Sequence, residues 1–204
     1  MYENFKKTDF EKQTNIINAA YKVFAASCYK EASTQDIAAY ANISKGLLFY
    51  YFHNKRDLYF YLYDYGVNLL KDEIFQAIDM SDQDFFHRIE KLSRIKIKVM
   101  KKYPDIYRFF MNVYVEEDVQ LKDELQHRLY ALTGDKHILL DHIDMQRFRK
   151  SIDIKLLSNL LIEVAVEHVR TYCLNDHMDV EAILESYVKY LHLLKENFYK
   201  DEYL

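Results

Sequence analysis

Apolar residues recur every three or four positions along most of this chain, with polar residues between them, a helical period rather than the alternation of a strand. Over 9–28, Ile16, Ile17, Ala20, Val23 and Phe24 share one face, and Lys12, Gln13, Asn15, Asn18 and Lys22 lie opposite. The residues through Thr8 carry no such period and predict a loose, solvated arm. Asn54, with Asp57 three residues on, predicts the capped start of a long helix to about 77 or 78. Further helices are predicted over about 85–102, 105–115 (beyond the break at Pro104) and 119–132. Thr133-Gly134-Asp135 predicts a turn, then a helical stretch to about 150. Two long helices close the chain, about 153–175 and 179–199, each with a wide apolar band. Such bands predict burial on more than one side, which a second copy of the chain would supply.

The 34–55 stretch reads differently, as two short helices about a tight corner. Thr34 is placed to cap the first, and Ile37, Ala38 and Ala41 give it a small apolar face. Asn42 at the corner tolerates a left-handed backbone. Ser44 is placed to cap the second helix, 45–52, with Leu48 and Phe52 inward. Small residue, left-handed residue, apolar residue and cap in that order is the spacing of a helix-turn-helix. Its second helix is expected to expose Lys45, Leu47, Phe49, Tyr50 and Tyr51, with Lys55 just beyond. Lys and Tyr suit phosphate contacts around a groove, and Gly46 admits a close backbone approach.

The run ISKGLLFYYFHNKRDL after a TQDIA helix resembles the DNA-binding module of the TetR family of transcriptional repressors, whose usual form is close to VSKGTLYYYFKSKEEL. Asn42 stands where that form has Gly, and Phe49 stands where Tyr is common, which removes one hydroxyl. The resemblance implies an all-α protein of about nine helices. A three-helix DNA-binding domain, 1–57, would precede a helical effector-binding and dimerisation domain, 58–204. Carried over by position, it implies that Thr34, Ser44, Lys45, Gly46, Leu47, Phe49, Tyr50, Tyr51 and Lys55 face DNA. It further implies a homodimer on a palindromic operator of double-stranded DNA and a small-molecule effector, with no cofactor.

Composition agrees with a helical reading. The 204 residues include three Gly and one Pro, too few turn formers for a sheet-rich fold. Cys28 and Cys173 are far apart and predict small core residues in a reducing cytoplasm, not a disulfide or zinc site. Neither a signal peptide nor a membrane-spanning run is apparent. The net charge of −4 divides unevenly: residues 1–57 hold eight basic and six acidic side chains, and the rest twenty and twenty-six. The head is thus +2 and the body −6, a basic reading surface on a body that repels DNA.

Catalytic signatures such as a Gly-rich phosphate loop, G-x-S-x-G or HExxH are missing. Glu124 and His127 have di-iron spacing, but no second Glu-x-x-His accompanies them, so exposed surface is expected and no metal. The aromatic run beyond Pro104 suggests an apolar effector pocket from Tyr107, Phe110, Met111 and Tyr114, joined by Leu161, Val164 and His168. Leu157, Leu160, Ile183, Tyr187 and Leu191 are the residues expected at the dimer interface. The rival class is a helical enzyme or protein-interaction module that keeps the hairpin as architecture. Retention of genomic DNA fragments by the purified protein separates the two.

Overall fold

The computed structural model describes residues 2–204 except 80, 115, 117, 134–139 and 174–178. Its α-helices are α1 (Glu3–Lys6), α2 (Phe10–Ala26), α3 (Thr34–Tyr40), α4 (Lys45–Phe52), α5 (Lys55–Ala77), α6 (Phe85–Lys102), α7 (Pro104–Tyr114), α8 (Val119–Thr133), α9 (Ile154–Cys173) and α10 (Val180–Phe198). Among the described residues the one departure towards β structure is an isolated antiparallel bridge between Phe148 and Tyr199. The fold is all-α.

Packing groups the chain into two compact units. One comprises Met1–Leu69 and Tyr103–Gly134, the other Leu70–Lys102 and Asp135–Leu204. In the first, α2 lies against α3 and α7, and its inward residues Ile16, Ala20 and Phe24 are fully buried. Gly66 on α5 lies where a Cβ would meet Phe110 Cε2 at 2.8 Å and the Tyr21 hydroxyl at 2.9 Å. The glycine therefore serves close helix approach, and the Tyr21 hydroxyl donates to Leu62 O at 2.6 Å beside it. Ring contacts among Phe24, Tyr29, Tyr59 and Phe109 fill the space on the other side of Tyr21.

In the second unit, Phe85, Phe86, Phe148, Leu157, Leu161, Tyr187, Leu191 and Tyr199 form one core cluster. Asp84 caps α6 through the His87 amide at 3.0 Å. It also accepts from Arg147 at 3.1 Å, Lys195 at 3.2 Å and the Tyr199 hydroxyl at 3.2 Å. Burial pushes its carboxyl up, but the His87 amide, Lys195 and Arg147 outweigh this and hold it below the usual range.

Several sequence expectations need correction. The N-terminal arm is ordered: α1 buries Phe5 completely against Tyr51, Phe52 and Tyr61. A helix to about 150 is not found; residues from 140 onward give a 3-10 turn, Met145–Arg147, and the bridge at Phe148. Arg149 there donates to the Tyr199 carbonyl and to Asp201, and Lys200 N–H donates to Arg147 O at 2.9 Å. These pairings satisfy the backbone without a helix. Cys28 is exposed, not in the core. The predicted turn at Gly134-Asp135, the helix ends at Val115 and Asn175, and the Cys173 side chain lie outside what is described.

Candidate nucleic-acid interface

The α3–α4 corner follows from local capping. Ser33, one residue before the expected Thr34, caps α3: its hydroxyl accepts from the Asp36 amide at 3.2 Å, and Thr34 takes the first helical position. Asn42 adopts φ 53, the left-handed backbone its side chain tolerates. Ala38 is buried beneath the corner, and its carbonyl accepts from the Ile43 amide at 3.0 Å. Ser44 caps α4 as expected, accepting from the Leu47 amide at 3.1 Å. Asn54 likewise caps α5 through the Asp57 amide at 2.8 Å.

Leu48 and Phe52 anchor α4 inward and are fully buried. The opposite side leaves Ser44, Lys45, Gly46 and Tyr50 exposed and Leu47 and Phe49 half-buried. Tyr50 is 58% exposed, and Lys45 lies 5.7 Å from the Phe49 ring centroid. Gly46 faces open space: an added Cβ would have Ser44 Oγ at 3.9 Å as its neighbour. Lys45 and Gly46 thus stand exposed at the opening of α4, where unsatisfied amides favour anions, and Tyr50 is exposed in its last turn.

Two residues expected on that surface are engaged elsewhere. Tyr51 is 7% exposed, because Phe5 of α1 packs edge-on against its ring. The Lys55 ammonium donates to the carbonyls of Lys30 and Ala32, each at 3.1 Å, and lies 4.7 Å from the Tyr29 centroid. It ties the α2–α3 loop to the start of α5. Sequence reasoning missed α1 as a brace; the signal available was Tyr2 and Phe5, three apart. The Tyr2 hydroxyl donates to Asp57 O at 3.0 Å while its ring meets Phe52 and Tyr61, so α1 fixes α4 against α5.

Residues 16–62 match the model of the family described as bacterial regulatory proteins, tetR family, a span that covers the whole corner. The chain thus carries the DNA-binding module of TetR-type regulators, and it is a DNA-binding transcriptional regulator of that type. Among curated relatives, it is 22% identical over 189 residues to the fatty acid metabolism regulator protein of Bacillus subtilis, across 88% of this chain and 93% of that one. Among solved structures, a TetR family transcriptional regulator from Chloroflexus aurantiacus superposes with TM-score 0.73 at 18% identity, covering 97% of this chain and 98% of that one. FadR from Bacillus subtilis in complex with stearoyl-CoA superposes with TM-score 0.64 at 18% identity, covering 87% and 96%. These structures share the TetR fold.

The other predicted sites divide between the two units. Tyr107, Phe110 and Met111 are half-buried and Tyr114 is exposed in the first unit. Leu161 is fully buried in the second, and Val164 and His168 are partly buried there, His168 edge-on to Tyr190 with centroids 5.8 Å apart. Leu161 is thus a core residue, and its carbonyl accepts from the Tyr187 hydroxyl at 3.1 Å. Of the expected interface residues, Leu157, Ile183, Tyr187 and Leu191 are buried within their own chain. Leu160 is 52% exposed. With it on α9 and α10, Leu156, Ile162, Tyr190 and Leu193 are also exposed. The inward stripe of each helix is consumed by its own unit, so the free apolar stripe is the next one round.

Glu124 accepts from Arg128 at 2.7 Å, and Arg128 also reaches Asp64 at 2.7 Å; His127 is exposed. No three metal-ligating side chains gather among the described residues. No helix among them is long and apolar enough to cross a membrane.

Proposed function

We propose that this regulator is a repressor that acts in the cytoplasm as a homodimer on an inverted-repeat operator and is released by a small amphipathic effector. The supporting observation is the exposed surface of α4, where Lys45 and Gly46 stand at a capped helix start and Tyr50 in the last turn, above a buried Leu48–Phe52 anchor. In this reading 1–57 is the DNA-reading part and the remainder holds the effector and the partner. Ser44, Lys45, Gly46, Leu47 and Tyr50 meet DNA, with Thr34 contributing from α3. Phe49 adds apolar contact. Lys55 and Tyr51 act chiefly by holding α4 in place.

Homodimerisation through α9 and α10 would cover Leu156, Leu160 and Leu193, which otherwise expose a large apolar stripe. Two heads then read half-sites about 34–36 Å apart or a multiple of that. The amphipathic character of the effector is supported by the relatives named for fatty acid metabolism and by the stearoyl-CoA of the Bacillus subtilis FadR complex.

The test is retention of genomic DNA fragments by the purified protein, followed by sequencing and titration of the recovered site. Lys45→Ala and Tyr50→Phe should each weaken that site while leaving the melting temperature unchanged. Wild-type binding by both variants would overturn the assignment of α4.

A further inference from the structure

The exposed side of α4 is short of the groups that read bases by hydrogen bonds. Its sequence, KGLLFYYF, holds no Arg, Asn, Gln, Asp or Glu, and Lys45 is its one charged side chain. Leu48, Tyr51 and Phe52 are buried, so at about 3.6 residues per turn the outward line runs through Gly46 and Tyr50. Leu47 flanks that line on one side and Phe49 on the other. Both are half-buried, and each keeps part of an apolar side chain at the surface. Gly46 has no side chain, and Ser44 Oγ, at 3.9 Å, is the neighbour a Cβ there would meet. The opening of α4 therefore presents bare backbone between two apolar walls.

Position along the helix decides which of these side chains reaches a base. A recognition helix meets base edges with its N-terminal residues, while the helix before it crosses the backbone. Lys45, Gly46 and Leu47 open α4, Phe49 follows in the next turn, and Tyr50 stands in the last turn, where its hydroxyl suits phosphate. The Ser44 hydroxyl oxygen already accepts from the Leu47 amide. The Lys45 ammonium lies 5.7 Å from the Phe49 ring centroid and suits a phosphate or the paired acceptors of guanine. Asn and Gln, which read adenine through a pair of hydrogen bonds, are missing from α4. What an A·T pair offers an apolar side chain in the major groove is the thymine 5-methyl group.

We propose that α4 reads its operator chiefly through thymine 5-methyl groups, packed against Leu47 and Phe49 on the two sides of Gly46. This rests on the reading of α4 as the DNA-facing helix and names the base chemistry it selects. Gly46 lets the helix backbone come close to the base edges, and the flanking side chains then exclude water from the methyl. Cytosine in the same place offers no methyl and leaves its N4 amino group without an acceptor on α4. Each half-site is therefore expected to carry thymine where it faces the opening of α4.

The test uses the full chain and the operator recovered from genomic fragments, remade as synthetic duplexes with deoxyuridine in place of thymidine at one position of each half-site in turn. Deoxyuridine keeps the base pair and the O4 acceptor and loses the methyl alone. At one or more positions wild type should bind roughly 4-fold more weakly per half-site, the size of one buried methyl group, or roughly 15-fold for the pair. The dependence of affinity on salt should stay the same, since no phosphate contact is lost. Leu47→Ser and Phe49→Ser should each weaken binding to the thymine duplex, and at least one of them should treat the thymine and uracil duplexes alike at a position wild type distinguishes. Leu47→Met, apolar and of similar volume, should keep the distinction. The ratio of the two duplexes is read within each protein, so a general loss of affinity does not obscure it, and the uracil scan on wild type needs no variant. An operator that tolerates uracil at every position overturns the proposal and spares the DNA-facing reading of α4. A uracil penalty that persists in full in both serine variants overturns the assignment to Leu47 and Phe49. If no fragment is retained, the DNA-facing reading fails and takes the proposal with it.

Discussion

Replacing Gly46 by Ala should make the protein more stable and a poorer DNA binder, a pair of opposite signs that a purely architectural α4 would not produce. Gly46 is the second residue of α4 and does not have the left-handed backbone that would require glycine. A Cβ there has Ser44 Oγ at 3.9 Å as its neighbour, an ordinary contact, so nothing inside the fold excludes a methyl group. Alanine in place of glycine gains up to about 1 kcal/mol in a helix interior, and less at an N-terminal turn. A gain of about 0.5 kcal/mol is expected, and hence a melting temperature higher by roughly 1–2 °C. The same methyl would project from a backbone segment whose proposed use is close approach to phosphate. Displacing one such contact in each half-site should weaken operator binding by at least about tenfold, or roughly 1.4 kcal/mol. Melting by circular dichroism and operator titration by fluorescence anisotropy at fixed salt give both numbers on one preparation. A variant that melts higher and binds the operator like wild type would refute the close-approach argument. A variant that melts lower would refute the local reading of α4.

Gly66→Ala should behave oppositely in stability. Its Cβ would sit 2.8 Å from Phe110 and 2.9 Å from the Tyr21 hydroxyl, and such overpacking costs about 1–3 kcal/mol, visible as a lower melting temperature. Leu160→Asp, on the exposed stripe of α9, should convert a dimer to a monomer in sedimentation without loss of helicity; an unchanged sedimentation coefficient at micromolar concentration would reject that stripe as the interface. Asp84→Asn should remove stability that wild type holds at neutral pH. The folded carboxyl titrates below its unfolded value of about 3.9, so this contribution is full above that pH and is lost as pH falls through the folded value. The melting curves of Asp84→Asn and wild type should therefore converge in strong acid, and a gap that widens with falling pH would contradict the assignment.

What could be read from the chain alone was what depends on near neighbours. Ser44, Asn54 and Asn42 bond or bend within three residues of themselves, and all three do what the sequence suggested. Tyr51 could not be placed this way. In an eight-residue helix with apolar and aromatic side chains nearly all round, burial is decided by what arrives from elsewhere, and here it is Phe5, 46 positions earlier in the chain. The same limit explains the last two helices. Their period shows that two stripes are apolar, and Leu157 and Leu191 belong to the one their own unit covers, while Leu160 and Leu193 belong to the other.

The joint between α4 and α5 carries a further consequence for control. His53 and Asn54 alone separate the two helices. His53 takes φ 57 with ψ −49, a combination outside the left-handed basin that costs a non-glycine residue on the order of 1–3 kcal/mol. The cost is sustained from both sides. Tyr2 bonds the first turn of α5 and packs its ring at a tilt against Phe52, and Lys55 bonds the α2–α3 loop. A joint over-determined in this way does not act as a hinge, so α4 moves with the start of α5. Helix α5 continues without a break from the first unit across Leu69 into the second. In the proposed reading, an effector would act on the recognition helix through α5. A coupling of about 1–3 kcal/mol, or roughly 5- to 150-fold in operator affinity, requires only that it favour a state in which two such helices no longer match successive grooves.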